Sequence, residues 1–61
     1  MRRFVGSGMP GAALREIRKR LRMTQKQFAA ALGIHHITVS DYERGKEVIP
    51  KLVAVAAKGL K

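Results

Sequence analysis

From residue 10 onward, apolar positions recur at the spacing of short helices and nowhere show the alternation of a strand. Leu14, Ile17 and Leu21 fall at i, i+3 and i+7 and form one stripe of a helix from about Pro10 to Leu21, with Arg15, Lys19 and Arg22 on the other side. Pro10 suits a first helical position, because its missing N–H would be unpaired there in any case. Thr24-Gln25-Lys26-Gln27 is a T-x-x-Q capping box that starts a second helix at Gln25, and Met23 before the cap pairs with Phe28 as a hydrophobic staple. Gly33 closes that helix by taking the left-handed conformation. Phe28 and Leu32 give it an apolar face, while Ala29, Ala30 and Ala31 leave room for another helix to approach. A third helix starts after His35 as N-cap, with Ile34 and Val39 at staple spacing, Val39 and Tyr42 on one side, and Gly45 as the stop. The fourth runs from about Pro50 to Gly59, with Leu52, Val55, Ala56 and Leu60 as its expected inner face.

Four short helices without a repeat predict an all-α, compact four-helix bundle. Its domain covers residues 10–61, and residues 1–9 form a flexible basic N-terminal arm bearing Arg2 and Arg3. Helices two and three are joined only by Gly33 and its neighbours, so they must cross sharply, which is helix-turn-helix geometry. The parts that geometry needs are present. Ala29 is the small residue where the helices meet, and Gly33 is the turn glycine. Phe28, Leu32, Ile34, Val39 and Tyr42 plug the corner. Each such side chain contributes roughly 1.5–3 kcal/mol when fully buried, so a handful can hold the corner once the outer helices cover it.

Charge then narrows the partner. The chain has 61 residues, 13 Lys+Arg against 4 Asp+Glu, a formal net charge of +9 and no cysteine. That balance favours a polyanion: DNA, RNA or an acidic membrane surface. Without cysteine there is neither a disulfide framework nor a thiolate metal site. Met1 to Val5 resembles the start of a secretion signal, but Gly6-Ser7-Gly8 and Pro10-Gly11 interrupt the apolar run, so neither a signal nor a membrane span is expected.

The ordered set Arg22-Met23-Thr24-Gln25, Phe28-Ala29, Leu32-Gly33-Ile34, Thr38-Val39-Ser40 and Tyr42-Glu43-Arg44-Gly45-Lys46 resembles the Cro/repressor (XRE-type) helix-turn-helix family over roughly Leu14 to Leu60. The resemblance implies a lambda-repressor-like fold and a sequence-specific transcription regulator of prokaryotic or phage type, in the cytoplasm and nucleoid-associated. A repressor is the expected sense of regulation. The third helix, about 36–44, would lie in the major groove, and a homodimer would meet a palindromic operator. Carried over by position, Gln25 would face a phosphate, and His36, Ile37, Ser40 and Asp41 would read bases, flanked by His35 and Arg44. Helical geometry agrees with that choice, since Val39, Tyr42 and Glu43 turn inward and residues 36, 37, 40, 41 and 44 share the outer side. His36 could donate to guanine, Ile37 could cover a thymine methyl, and Asp41 could accept from cytosine or reject wrong sequences. Arg22, Lys26, Arg44, Lys46 and Lys51 are phosphate candidates. The family also implies a partly buried ion pair between Arg18 and Glu43. Arg2 and Arg3 would form a minor-groove arm or remain disordered.

Catalysis, a metal and a cofactor are not expected. His35 and His36 are adjacent and would diverge by about 100° on a helix. Ser40, a neighbouring His and Asp41 on one exposed helix cannot build a buried, oriented nucleophile. Few, scattered aromatics argue against single-stranded nucleic acid. A second reading keeps the fold but makes it a protein-interaction module, such as the antitoxin of a toxin–antitoxin pair that also autoregulates its operon. Val48, Ile49, Val53 and Leu60 would then form that contact or a self-contact, or else complete the core. A basic amphipathic helix on a membrane surface is a third reading that the turn grammar disfavours.

Overall fold

The computed structural model describes residues 8–60, so the expectations for Arg2, Arg3 and the rest of residues 1–7 lie outside the described residues. Four helices follow in order: α1 (Gly11–Arg20), α2 (Gln25–Leu32), α3 (His36–Glu43) and α4 (Lys51–Gly59). α2 and α3 pack on each other, and α1 and α4 close the corner they make. No strand occurs among the described residues.

The expected capping box is formed. Thr24 Oγ1 accepts from the Gln27 N–H at 3.1 Å, and Gln27 Oε1 accepts from the Thr24 N–H at 2.9 Å. His35 also caps as expected, since its Nδ1 accepts from the Ile37 N–H at 3.1 Å. Pro10 differs from expectation. Its ψ of 156° makes it the N-cap residue, and the helix begins one residue later at Gly11. Met9, expected in the arm, packs against the core.

Three successive helices end by one device, paired hydrogen bonds around a left-handed residue. After α1, the Arg22 N–H donates to Lys19 O at 3.0 Å and the Met23 N–H to Arg18 O at 3.2 Å. After α2, the Gly33 N–H donates to Ala30 O and the Ile34 N–H to Ala29 O; after α3, the Gly45 N–H donates to Tyr42 O and the Lys46 N–H to Asp41 O. The left-handed residues are Arg22 (φ 60°), Gly33 (φ 76°) and Gly45 (φ 78°). In the first two cases the next residue, Met23 or Ile34, turns back onto the core, so each closure also aims the following helix.

Leu14, Phe28 and Val39 are wholly buried, joined by Ala29, Tyr42, Ile49, Ala54 and Ala57. All five corner residues named from the sequence belong to this cluster or pack against it. Of the three alanines on α2, only Ala29 is buried; Ala30 and Ala31 face out.

The expected inner face of α4 is wrong at three of its four positions, Leu60 alone packing against the core. Leu52 is 83 % exposed, Val55 59 %, and Ala56 is exposed too. The buried positions are Ala54 and Ala57, and Val53 and Leu60 are half-buried. α4 packs on both α1 and α2, and small side chains let a helix come close to two others at once. Bulk was therefore the wrong guide to its inner side. Ile49 is buried, and with Val53 and Leu60 it completes the core; of that set only Val48 stands out, at 55 % exposed.

Gly11 has a packing role that no sequence pattern announced. A Cβ built there would lie 2.3 Å from Tyr42 O and 2.7 Å from Glu43 O. The start of α1 thus sits directly on the backbone at the end of α3, a distance only glycine allows. The positive end of one helix meets the carbonyl end of the other there, which is electrostatically favourable.

Candidate nucleic-acid interface

The site is built on α3. Val39 and Tyr42 anchor its inner side in the core, so the helix cannot roll. Ile37, 56 % exposed, and Arg44 then stand out in solvent, with His36, Ser40 and Asp41 half-buried beside them. An isoleucine so exposed among polar neighbours adds nothing to the core.

Asp41 is not a lone carboxylate. Arg44 Nη2 donates to its Oδ1 at 3.4 Å, and the Arg44 side chain remains 62 % exposed. One turn of α3 thus carries a compensated charge pair, which softens the repulsion an isolated aspartate would offer a phosphate backbone.

The inner end of α3 is tied to α1 and α2 through Glu43. Arg18 Nε donates to Glu43 Oε2 at 2.7 Å and Nη2 to Oε1 at 3.2 Å. The two side chains are 15 % and 5 % exposed, respectively. Arg18 Nη1 also donates to Met23 O at 3.0 Å, bracing the turn between α1 and α2. Glu43 Oε1 accepts a further bond from Gln25 Nε2 at 3.1 Å. Charge-assisted bonds of this kind are roughly twice as strong as neutral ones. Among the described residues no buried side-chain nitrogen or oxygen lacks a partner, so this network costs no unpaired polar group.

Gln25 is therefore the first residue of α2 and also a ligand of Glu43. Its amide nitrogen is oriented by that bond, and its second N–H is left to point elsewhere. Sequence reasoning placed Gln25 at a phosphate and missed this tie, since residues 25 and 43 meet only once α2 and α3 cross.

His35 and His36 also depart from expectation. Their ring centroids are 4.7 Å apart with planes 23° from parallel, so they stack rather than diverge. The 100° rule assumed both were helical. His35 is the cap, with an extended backbone (φ −77°, ψ 145°), which swings its ring over that of His36.

The basic candidates spread over several elements. Arg22 lies in the left-handed turn before α2, Lys26 in the first turn of α2, and Lys46 just after α3; all three are exposed. Lys51 opens α4 and is also exposed. Among the described residues no three His, Cys, Asp or Glu side chains are grouped to hold a metal, and no helix is long and apolar enough to cross a membrane.

A family model described as helix-turn-helix matches residues 14–57. No curated protein matches the chain. The matched span starts at the buried Leu14 of α1 and ends at the buried Ala57 of α4, so it covers the corner and both helices that close it.

Proposed function

Because the chain belongs to the Cro/C1-type (XRE) helix-turn-helix family of DNA-binding transcription regulators, we propose that it is a sequence-specific repressor that reads double-stranded DNA with the outer side of α3. The observation that supports this reading most is the division of α3. One side is locked into the core by Val39 and Tyr42, and the other keeps Ile37 in solvent among His36, Ser40 and Asp41. A helix held in that way presents a fixed row of donors, acceptors and one apolar contact to base edges in a major groove.

In this reading Ile37 covers a thymine methyl, and His36, Ser40 and Asp41 supply polar contacts. His35 and Arg44 flank them. Gln25, Arg22, Lys26 and Lys46 meet phosphates, which set register rather than sequence. Arg18 and Glu43 touch no DNA; they fix the angle between α3 and the helices that meet phosphate. Two copies would occupy a palindrome with half-sites about 34–36 Å apart, and repression would follow from occupancy.

Selection of bound duplexes from a random pool tests the assignment. The expected result is one palindromic preference, altered at defined positions by His36→Ala and by Ile37→Ala. If neither change alters the selected sequence, α3 is not read in this way. Binding should also weaken with salt at a log–log slope of about −0.9 per phosphate contact.

A further inference from the structure

We propose that the outward side of α4 is a docking surface for an acidic amphipathic helix of a partner protein. The core has no use for that side, because α4 meets α1 and α2 through Ala54 and Ala57. At about 100° per residue, Leu52, Val55 and Gly59 point the same way, with Ala56 beside them. Leu52 and Val55 are 83 % and 59 % exposed, and Ala56 and Gly59 are exposed as well. A single exposed apolar residue means little, but a stripe along a whole helix marks a contact surface. Two large side chains beside two small ones form ridges and a hollow into which another helix fits.

The flanking charge selects the occupant. Lys51 and Lys58 are two turns apart and lie on the same edge of the stripe, both exposed. The other edge passes through Ala56 to the half-buried Val53 and Leu60. Where α4 ends against α1, a cavity of about 310 Å³ combines the same chemistry, lined by apolar Ile17, Leu21, Ala57 and Leu60 together with basic Arg20 and Lys58. A partner helix along the stripe meets cations on one flank only, so carboxylates there set its identity and direction.

A second copy fits poorly. In an antiparallel pair the two-fold axis runs across both helices and keeps each lysine edge on the same flank. Four ammonium groups would then line up, and α4 has no carboxylate to separate them. In a parallel pair each lysine edge meets the other copy's Ala56 edge, again without an acid. Of the chain's four acidic residues, Glu43 is bound to Arg18 and Asp41 to Arg44, and Glu16 and Glu47 lie off α4. A lipid surface fits less well too. Membrane-surface helices insert large side chains, whereas half of this stripe is Ala and Gly.

The test uses the full chain and three synthetic helical peptides. One has leucines at i, i+3, i+4 and i+7 with glutamates on one flank. The second has lysines in place of the glutamates, and the third has the stripe scrambled. NMR titration should show the glutamate peptide binding about tenfold tighter than either control, with shifts centred on residues 52–59. Leu52→Ser combined with Val55→Ser changes only exposed side chains and should abolish that binding while the helical spectrum and duplex binding persist. Lys51→Glu with Lys58→Glu should invert the preference toward the lysine peptide. Equal binding of the charged peptides would overturn the proposal. Self-association lost in the serine double variant would overturn it in favour of a second copy. Binding to phosphatidylglycerol vesicles lost in that variant would overturn it in favour of a lipid surface. Apart from the duplex-binding control, none of these readouts depends on whether α3 reads DNA.

Discussion

Gln25 and Glu43, eighteen positions apart, are joined by a hydrogen bond of 3.1 Å from Nε2 to Oε1. The residue that opens α2 is thereby fixed to the residue that ends α3. Because Glu43 is also held by Arg18, three helices share one carboxylate. The angle between α2 and α3 sets where any DNA contact falls, and this carboxylate is one of the groups that hold it.

Glu43→Ala should therefore be severely destabilising. It leaves the Arg18 guanidinium, only 15 % exposed, without its anion, a change that costs about 3–5 kcal/mol in comparable buried pairs. Total stability is of order 5 kcal/mol for small domains, so about 0–2 kcal/mol should remain, and the variant should have a much lower urea midpoint and a measurable unfolded population at room temperature by circular dichroism. A urea midpoint equal to that of the parent chain would show that the pair contributes nothing.

Gly11→Ala tests the seat of α1 on α3. Alanine is ordinarily the better helix former by about 1 kcal/mol, so propensity alone predicts stabilisation. A Cβ 2.3 Å from Tyr42 O predicts the reverse, because the obstructing atoms are backbone and cannot swing aside. Overpacking typically costs about 1–3 kcal/mol. Near 4–8 °C of melting temperature per kcal/mol in a domain of this size, calorimetry should see a clear drop. A rise would show that α1 has room to shift.

Arg22→Gly separates folding from binding at one residue. Arg22 holds φ at 60°, a conformation that costs an L-residue roughly 1–2 kcal/mol and glycine almost nothing. Part of that gain is offset by the larger backbone freedom of unfolded glycine. The expected net effect is stabilisation by several tenths to about 1 kcal/mol. If Arg22 meets a phosphate, the same variant should bind duplex more weakly, with the salt slope reduced by about 0.9. Higher stability with unchanged duplex binding would remove Arg22 from the phosphate contacts.

Asp41→Asn should alter binding with little effect on stability. The Asp41–Arg44 pair is long at 3.4 Å, and the Arg44 side chain is 62 % exposed; exposed pairs of this kind contribute about 0–1 kcal/mol. Removing one negative charge from the outer side of α3 should raise affinity for non-specific duplex several-fold at low salt and lower the thermal midpoint by no more than about 8 °C, the loss of at most about 1 kcal/mol. A fall in non-specific affinity would mean that Asp41 orients Arg44 toward the DNA.

The starts and stops of the helices were legible in the sequence because they depend on a few adjacent residues. Thr24 with Gln27, His35, Gly33 and Gly45 signal through local hydrogen bonds and backbone conformation, which neighbours in the chain supply. The corner residues were legible for a related reason: Phe28, Leu32, Ile34, Val39 and Tyr42 are bulky and lie at helical spacing on elements with one obvious apolar side. Arg22 was not recognised as a closing residue, because the left-handed state of an arginine is imposed by the turn around it.

The order of four helices, the limits of the second and third, and the tight corner between those two were set by the sequence alone, through capping, turn chemistry and periodicity. Tertiary structure decided which side of α4 faces inward, since alanine was selected there by the nearness of two other helices rather than by its own hydrophobicity. It also decided that Gly11 must be glycine, that His35 and His36 stack, and that Gln25 bonds Glu43. Each of these depends on atoms brought together from distant positions or on backbone direction at a helix boundary, and no local pattern encodes such distances.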